Sequence, residues 1–194
     1  MENIDYKKYR WFFTLSGKLV IGGKSAEQND ELLKRMIKEK QDFIVMHTSS
    51  PGSPFSIIYS SIEVTKKDLE ECAIFTASFS RAWKEKKNKV TVDMFSLSQL
   101  SKSSSIKTGT WAVKGYVEHK QTSLVLVLTT QNKVLRAVPE QSVSKKDRIF
   151  KIVPGDTDKI DLVSTIQKEI PNISKEEILS ALPAGGIKIE KYRK

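Results

Sequence analysis

Residues 42–59 read DFIVMHTSSPGSPFSIIY and consist of two apolar runs joined by a loop of small and hydroxyl-bearing residues. Apolar runs of this length beside proline and glycine predict β-strands over residues 42–47 and 55–59. After Asp42 neither run contains a charged side chain. We therefore expect both strands to lie in the interior of a sheet.

The segments on the N-terminal side predict a hairpin followed by a helix. Residues 9–15 and 18–22 are short apolar runs that flank the turn dipeptide Ser16-Gly17. A capping-box pattern that begins at Ser25 then predicts a helix up to about residue 40. Its predicted buried stripe consists of Leu32, Leu33, Met36 and Ile37.

The segments on the C-terminal side predict a second helix and further antiparallel strands. A weaker capping box at Thr65 predicts one long helix, buried along Leu69, Cys72, Ala73, Thr76, Phe79, Ala82 and Trp83. A serine-rich tract over residues 96–105 is typical of a mobile loop. Strands are predicted at 90–95, 110–117, 123–130, 133–138 and 148–153, with a turn at Gln131-Asn132.

These patterns predict an α+β fold in which an antiparallel sheet is flanked by two main helices. Residues 1–153 would form the principal domain. Residues 154–194 contain two short helical patterns, a final strand at 187–189 and a basic tail. We interpret them as a small helical appendage.

Positive charge is concentrated in the middle of the chain. The whole sequence carries 33 Lys and Arg against 23 Asp and Glu, a net charge of +10. Between residues 94 and 139 there are six basic side chains, and Glu118 is the only acidic one. Such an excess is expected of a surface that meets a polyanion, although it also suits a protein whose charge serves solubility alone.

The sequence offers little for metal, cofactor or membrane chemistry. Two histidines and the single Cys72 cannot build a zinc site. No serine lies in a Gly-x-Ser-x-Gly turn, and Gly22-Gly23-Lys24-Ser25 lacks the first glycine of a P-loop at the required spacing. No apolar run reaches the roughly 20 residues of a membrane span. We therefore expect no catalytic residues, no metal, no cofactor and no membrane partner, and a cytoplasmic setting.

Several residues have both a functional and a structural interpretation. Lys24 precedes a predicted helix start, where it could clamp a phosphate or stand in solvent as a turn lysine. His47 ends a buried strand and is either a satisfied structural residue or part of a site with the hydroxyl loop behind it. Trp11 and Trp111 could stack on unpaired bases or belong to the core, whereas Trp83 lies on the buried stripe and is predicted to be structural.

Ordered motifs from about residue 9 to residue 120 resemble those of a known family. They are Tyr9-Arg10-Trp11-Phe12, residues 20–30 (VIGGKSAEQND), residues 42–47 (DFIVMH), Gly52-Ser53-Pro54, residues 80–84 (SRAWK), residues 99–102 (QLSK), residues 107–111 (KTGTW) and Lys114-Gly115. The chain thereby resembles the NFACT-R domain, the RNA-binding module of the NEMF/Caliban ribosome-associated quality-control factors, which also occurs as a free-standing protein. Residues 181–186 (ALPAGG) are similar to a segment of some relatives.

The resemblance implies a non-catalytic RNA-binding protein that contacts tRNA or rRNA, and the ribosome, in translation or quality control. The oligomeric state is left open. The candidate RNA-binding residues are Arg10, Lys24, Gln28, Asn29, His47, Ser49, Ser53, Arg81, Lys84, Lys102, Lys107 and Lys114. The family usually has arginine at the position of Lys24. It usually has Asp and His at the positions of Ser49 and Pro51, and their replacement in this chain removes two polar groups from the loop.

Two further functions stay open from the sequence. One is an enzyme that processes a nucleotide or an RNA end around His47 and Lys24. The other is a protein-interaction adaptor that uses the C-terminal tail. Activities that rest on the N-terminal NFACT domain or the coiled coil of the long family members are not transferred to this chain.

Overall fold

The computed structural model describes residues 4–103, 105 and 107–192. The helices are α1 (Ala26–Lys38), α2 (Lys66–Ser78), α3 (Arg81–Lys84), α4 (Val163–Glu169) and α5 (Lys175–Ala181). The strands are β1 (Arg10–Phe13), β2 (Leu19–Gly22), β3 (Ile44–Thr48), β4 (Ser56–Tyr59), β5 (Lys89–Ser96), β6 (Leu100–Ser101), β7 (Ala112–Val113), β8 (Glu118–Ser123), β9 (Leu126–Gln131), β10 (Val134–Pro139), β11 (Phe150–Thr157) and β12 (Ile187–Lys191). The α+β class predicted from the sequence is confirmed.

The central sheet has six strands in the order β1-β2-β4-β3-β5-β8, and every neighbouring pair is antiparallel. The apolar strands β3 and β4 occupy its middle, as the uncharged stretch predicted. Alternate residues of each strand face opposite sides, so Trp11 packs in one hydrophobic cluster and Phe12 in the other. Helix α1 buries Leu32 on the Trp11 side, and α2 buries Phe75 on the Phe12 side.

Local capping fixes where the two main helices begin. The Ser25 side chain accepts a hydrogen bond from the Gln28 backbone, but the Gln28 amide oxygen accepts from the Lys24 N–H instead of closing a capping box. Thr65 begins α2 with a complete capping box. Ile37, predicted to lie on the buried stripe of α1, is 46% exposed.

The prediction of one long second helix is wrong, because the segment forms two helices. α2 ends at Ser78, and Ser80 caps α3 by accepting a hydrogen bond from the Ala82 N–H. The restart turns the chain, so Trp83 is fully buried and donates from Nε1 to the Gly186 carbonyl at 3.1 Å. Trp83 therefore has the structural role that the sequence predicted.

The antiparallel strands of the second half form a separate four-stranded sheet in the order β10-β9-β11-β12. The β9–β10 turn lies at Asn132 and Lys133, both with positive φ, one residue later than predicted. Ile166 of α4 and Ile178 of α5 join the hydrophobic cluster under α2. The boundary proposed at residue 153 falls within β11, and the division into 1–153 and 154–194 stays a prediction.

The serine-rich tract is partly ordered, in contrast to the mobile loop expected. A 3₁₀ turn at Leu97–Gln99 is held by a capping box from Ser96, and β6 pairs with β7. The predicted strand 110–117 shrinks to β7 because Gln99 Nε2 donates to the Lys114 and Tyr116 carbonyls and ties the segment as a loop. The tract's Ser104, like residues 193–194 of the basic tail, lies outside the described residues.

Side chains of the second sheet bind the backbone of the first. The Gln131 side chain accepts from the Phe13 N–H and donates to the Phe13 carbonyl, both at 2.8 Å. Arg136 Nε donates to the Trp11 carbonyl at 3.1 Å. The β9–β10 hairpin is thereby attached along β1.

A buried carboxylate joins the β1–β2 hairpin to α2. Asp68 pairs with Lys18 at 3.0 Å and accepts hydrogen bonds from Thr14, Ser16 and Thr65. Burial alone would raise the pKa of Asp68, but these hydrogen bonds outweigh it and hold the pKa well below the ordinary value of 3.8. Asp68 is therefore ionised, and it fixes the hairpin against the helix.

Candidate nucleic-acid interface

A cleft of about 560 Å³ runs along one end of the central strands. The antiparallel registers place Arg10 at the start of β1 beside Gly22 at the end of β2, and His47 near the end of β3 beside Asp93 of β5. The loop that joins β3 to β4 lies at the same end, so residues far apart in sequence line one cleft.

The start of α1 and the segment 107–113 form one wall of the cleft, and Asp30 joins them. Its carboxylate accepts from Lys102 Nζ at 2.5 Å, Trp111 Nε1 at 2.8 Å and the Gly109 N–H at 3.1 Å. Burial opposes ionisation of Asp30, yet these donors lower its pKa overall. Gly109 has φ +77° and packs so closely on Ala26 that a Cβ would lie 2.6 Å from the Ala26 Cβ.

The β3–β4 loop and the α2–α3 junction form the opposite side. The Arg81 N–H donates to the Gly52 carbonyl at 2.8 Å. Gly52 has φ +103°, and a Cβ there would meet the Arg81 side chain at 3.1 Å. Within the loop, Ser53 Oγ accepts from the Thr48 N–H at 2.9 Å. Hydrogen bonds from the Arg81 backbone and within the loop therefore both support the hydroxyl loop.

Three cations line this cleft, Arg10, Lys24 and Lys107, and among the described residues none of them forms an ion pair with a carboxylate. Burial lowers the pKa of Arg10. Burial, followed by repulsion from Arg136 and Arg10, lowers the pKa of Lys24. These three cations outnumber the carboxylates among the described lining residues, so the cleft carries an excess of positive charge.

His47 is neutral near pH 7 in this setting. Its ring lies 4.4 Å from the Phe55 ring, and Nδ1 is 2.7 Å from the Thr48 carbonyl, which can only accept. Burial lowers the pKa of His47 and outweighs the opposing effects of Thr48 and of Asp93. The imidazole thus contributes hydrogen bonding, not charge, to the cleft.

Asp93 is the one carboxylate among the described lining residues, and other side chains already bind it. Ser49 Oγ donates to one of its oxygens, and His119 Nδ1 lies 2.8 Å from the same oxygen. The Ser49 side chain therefore turns toward the neighbouring strand β5. Its hydroxyl group thereby links the loop to Asp93 of β5.

The structure distributes the sequence-predicted residues over several environments. Those that line the cleft are Arg10, Lys24, Asn29, His47, Ser49, Ser53 and Lys107. Asn29 is buried, and its Oδ1 accepts from the Phe55 N–H at 3.1 Å, so it supports the loop. Lys102 is paired with Asp30.

The remaining predicted residues are not among those that line the cleft. The Arg81 side chain is mostly exposed and 3.6 Å from Glu85. Lys84 and Lys114 are exposed, and a Cβ added at Gly185 would lie 3.0 Å from the Lys84 Cγ. The Gln28 side chain accepts a hydrogen bond from the Lys24 backbone N–H. Nothing in the geometry assigns these four a contact with RNA, and their role there stays a prediction.

Sequence reasoning missed three residues of this region. Asp30 lies within the segment of residues 20–30 that carries the family resemblance, but its role was not predicted. Arg136 was counted only as part of the basic segment. Tyr116 is 81% exposed, whereas Trp11 is buried and Trp111 is bound to Asp30, so the exposed aromatic beside the cleft segment is the tyrosine.

Within the part of the chain that the structure describes, no three His, Cys, Asp or Glu side chains come together as a metal site. Over the same residues, no helix is long and apolar enough to cross a bilayer.

A cation-lined cleft on an α+β domain is the electrostatic pattern expected of a surface that meets a polyanion. The chain belongs to the family described as NFACT protein RNA binding domain, whose match covers residues 8–115. This confirms the family that the sequence motifs indicated.

Two curated proteins are similar to the chain. The archaeal Rqc2 homolog aRqcH of Methanocaldococcus jannaschii is 29% identical over an alignment of 199 positions, which covers 96% of this chain and 29% of that protein. The ribosome quality control complex subunit NEMF homolog of Drosophila melanogaster is 34% identical over 83 residues, 42% of this chain and 8% of that protein. The chain thus spans less than a third of the length of either relative.

A solved structure shares the fold. The C-terminal part of the fibronectin/fibrinogen-binding protein from Streptococcus suis superposes with a TM-score of 0.54 over 69% of this chain and 50% of that chain. The two sequences are 21% identical, so the likeness concerns the fold alone.

Proposed function

We propose that the chain is a non-catalytic RNA-binding protein that holds tRNA or rRNA in the cleft and acts on the ribosome, in the cytoplasm, in translation or quality control. The family match supports RNA as the ligand, and the names of the two curated relatives support the ribosomal setting. The observation that carries the proposal is the cleft in which Arg10, Lys24 and Lys107 have no carboxylate partner among the described residues.

A salt titration tests this function. Binding that neutralises phosphates releases counterions, so affinity for tRNA falls by roughly tenfold to a hundredfold between 50 and 200 mM salt if two to four phosphates are engaged. Fluorescence anisotropy with labelled tRNA, an rRNA fragment and a DNA duplex of equal length measures the affinity and the preference. A flat titration contradicts the proposal, and equal binding to the DNA contradicts the choice of RNA.

One observation favours a second candidate, an enzyme that processes a nucleotide or an RNA end. Neutral His47 and Lys24 line the same cleft, and a neutral imidazole is the form that acts as a general base. A turnover assay with nucleotides and tRNA separates the two functions. Product formed by the wild type and lost in His47→Ala would support the enzyme; the non-catalytic proposal expects no product from either protein.

A further inference from the structure

The two arginines at the seam between the sheets lack counter-charges. The Arg10 guanidinium lies 4.7 Å from the centre of the Phe79 ring, and the Arg136 guanidinium lies 4.7 Å from that of the Trp11 ring. Arg136 is 6% exposed and donates from Nε to a carbonyl. Among the described residues neither guanidinium forms an ion pair with a carboxylate.

This arrangement is electrostatically unfavourable for the protein alone. Burial and then the charge of Arg10 lower the pKa of Arg136 to about 10. Lys24 experiences both guanidinium charges as well. Buried cations normally have a partner, and a mutually repelling set without one is stabilised when an anion binds among them.

The surrounding cleft supplies groups suited to a tetrahedral oxyanion. Arg10 presents a planar donor fork, and Lys24 is a flexible ammonium on the turn before α1. Ser53 adds a hydroxyl donor from the facing loop, since its Oγ only accepts a hydrogen bond there, from the Thr48 N–H. The aromatic rings under the guanidiniums keep their planes fixed without neutralising them.

We propose that Arg10 and Lys24 bind a phosphate group at the end of β1 and β2, and that Arg136 of the second sheet positions and strengthens this subsite from behind. The ligand is a phosphate of a polynucleotide backbone in the first instance, and the inference rests on the proposed function. Arg136 lies beyond residue 115, where the family match ends, so the second half of the chain completes a site on the first.

Variants of the full chain test the subsite with a labelled 12-nucleotide single-stranded RNA. Arg10→Gln is expected to weaken binding roughly tenfold, because a charge-assisted contact is lost. It should also reduce the slope of log K against log[salt] by about 0.7, the value for one phosphate of a single strand. Arg10→Lys retains the charge and should keep the slope while losing part of the affinity.

Two more variants separate contact from position. Lys38→Gln, at the far end of α1 and roughly 18 Å from its start at 1.5 Å per residue, removes the same charge and should leave affinity and slope unchanged. Arg136→Lys keeps a charge behind the site but loses the bond to the Trp11 carbonyl. It should lower affinity with little change in slope, a split that an unfolded variant, lacking both binding and a melting transition, would not show.

Inorganic phosphate at constant ionic strength identifies the source of the ligand. A phosphate-dependent rise in melting temperature in the wild type that is absent in Arg10→Gln supports the subsite and extends it to free phosphates. No rise, together with the RNA slope change, supports it for backbone phosphates alone. If the wild type binds RNA but Arg10→Gln and Lys24→Gln keep its affinity and slope, the subsite is refuted while the RNA-binding function stands. If the wild type binds neither this strand nor tRNA nor phosphate, both proposals fail.

Discussion

Removing the Asp30 carboxylate should loosen one wall of the cleft. Asp30→Ala leaves Lys102, Trp111 and the Gly109 N–H without their shared acceptor. Hydrogen bonds to a charged acceptor contribute about 1.5–3 kcal/mol each, and breaking a buried ion pair costs about 3–5 kcal/mol. The Lys102 side chain is 15% exposed and can turn into solvent. We therefore expect a loss near the lower limit, about 3 kcal/mol.

The assay for this prediction is thermal unfolding together with amide exchange. For a chain of this size about 1 kcal/mol lowers Tm by roughly 2–4 °C, so Asp30→Ala should melt roughly 6–12 °C lower. Exchange should accelerate most in the peptide that contains Gly109. RNA affinity should fall in parallel, because Lys107 loses its support beside α1.

The adjacent acid provides a matched control. Glu31 pairs with Lys8 at 2.6 Å in an exposed position, and such pairs are worth about 0–1 kcal/mol. Glu31 also accepts a hydrogen bond from the buried Tyr9 hydroxyl at 3.2 Å, worth about 1 kcal/mol, so Glu31→Ala should lower Tm by only a few degrees and by less than Asp30→Ala. If Asp30→Ala and Glu31→Ala melt within about 2 °C of each other, and exchange at Gly109 is unchanged, Asp30 does not hold the wall.

Three other perturbations have defined outcomes. The pKa of Asp68 in the folded protein lies below its unfolded value of 3.8, so the ionised carboxylate stabilises the protein above pH 3.8 and this contribution is lost as the pH falls further. Asp68→Asn should lower the free energy of unfolding in urea by about 3 kcal/mol at pH 7. The difference from the wild type should narrow at pH 2. A constant deficit would contradict this assignment. Gly23→Ala places a Cβ 2.4 Å from Asn29 Oδ1 and should lower the free energy of unfolding by about 1–3 kcal/mol in the same urea assay. An unchanged midpoint would show that the turn can shift to accommodate the methyl group. Lys107→Glu should weaken binding to RNAs of different sequence alike in anisotropy titrations, with Tm unchanged, whereas full affinity would place the RNA elsewhere.

The sequence predicted those features that depend on neighbouring residues. The β1–β2 hairpin and the capping box of Thr65 are set within a few positions, and both are confirmed. The break before α3 also had a local signal in Ser80, a residue that favours helix starts, but the apolar stripe continues across it. Periodicity alone therefore predicted one helix where there are two.

The parts of the site that escaped prediction depend on distant partners. Asp30 meets Lys102 and Trp111, which are 72 and 81 positions away, and no spacing rule connects them. Arg136 reaches the Trp11 backbone across 125 positions only because a second sheet folds against β1. The split into two sheets likewise follows from tertiary packing, since both sheets have the same antiparallel pattern in sequence.

The bonds from Gln131 to both backbone groups of Phe13 affect whether another chain can pair with strand β1. β1 is the outermost strand of its sheet, and an open strand edge is a template on which another chain can add. A glutamine amide at 2.8 Å from the Phe13 N–H and carbonyl, with Arg136 on the Trp11 carbonyl, occupies the acceptor and donor positions that an incoming strand would need. The same contacts that join the two halves of the molecule thus protect the β1 edge against pairing with another chain.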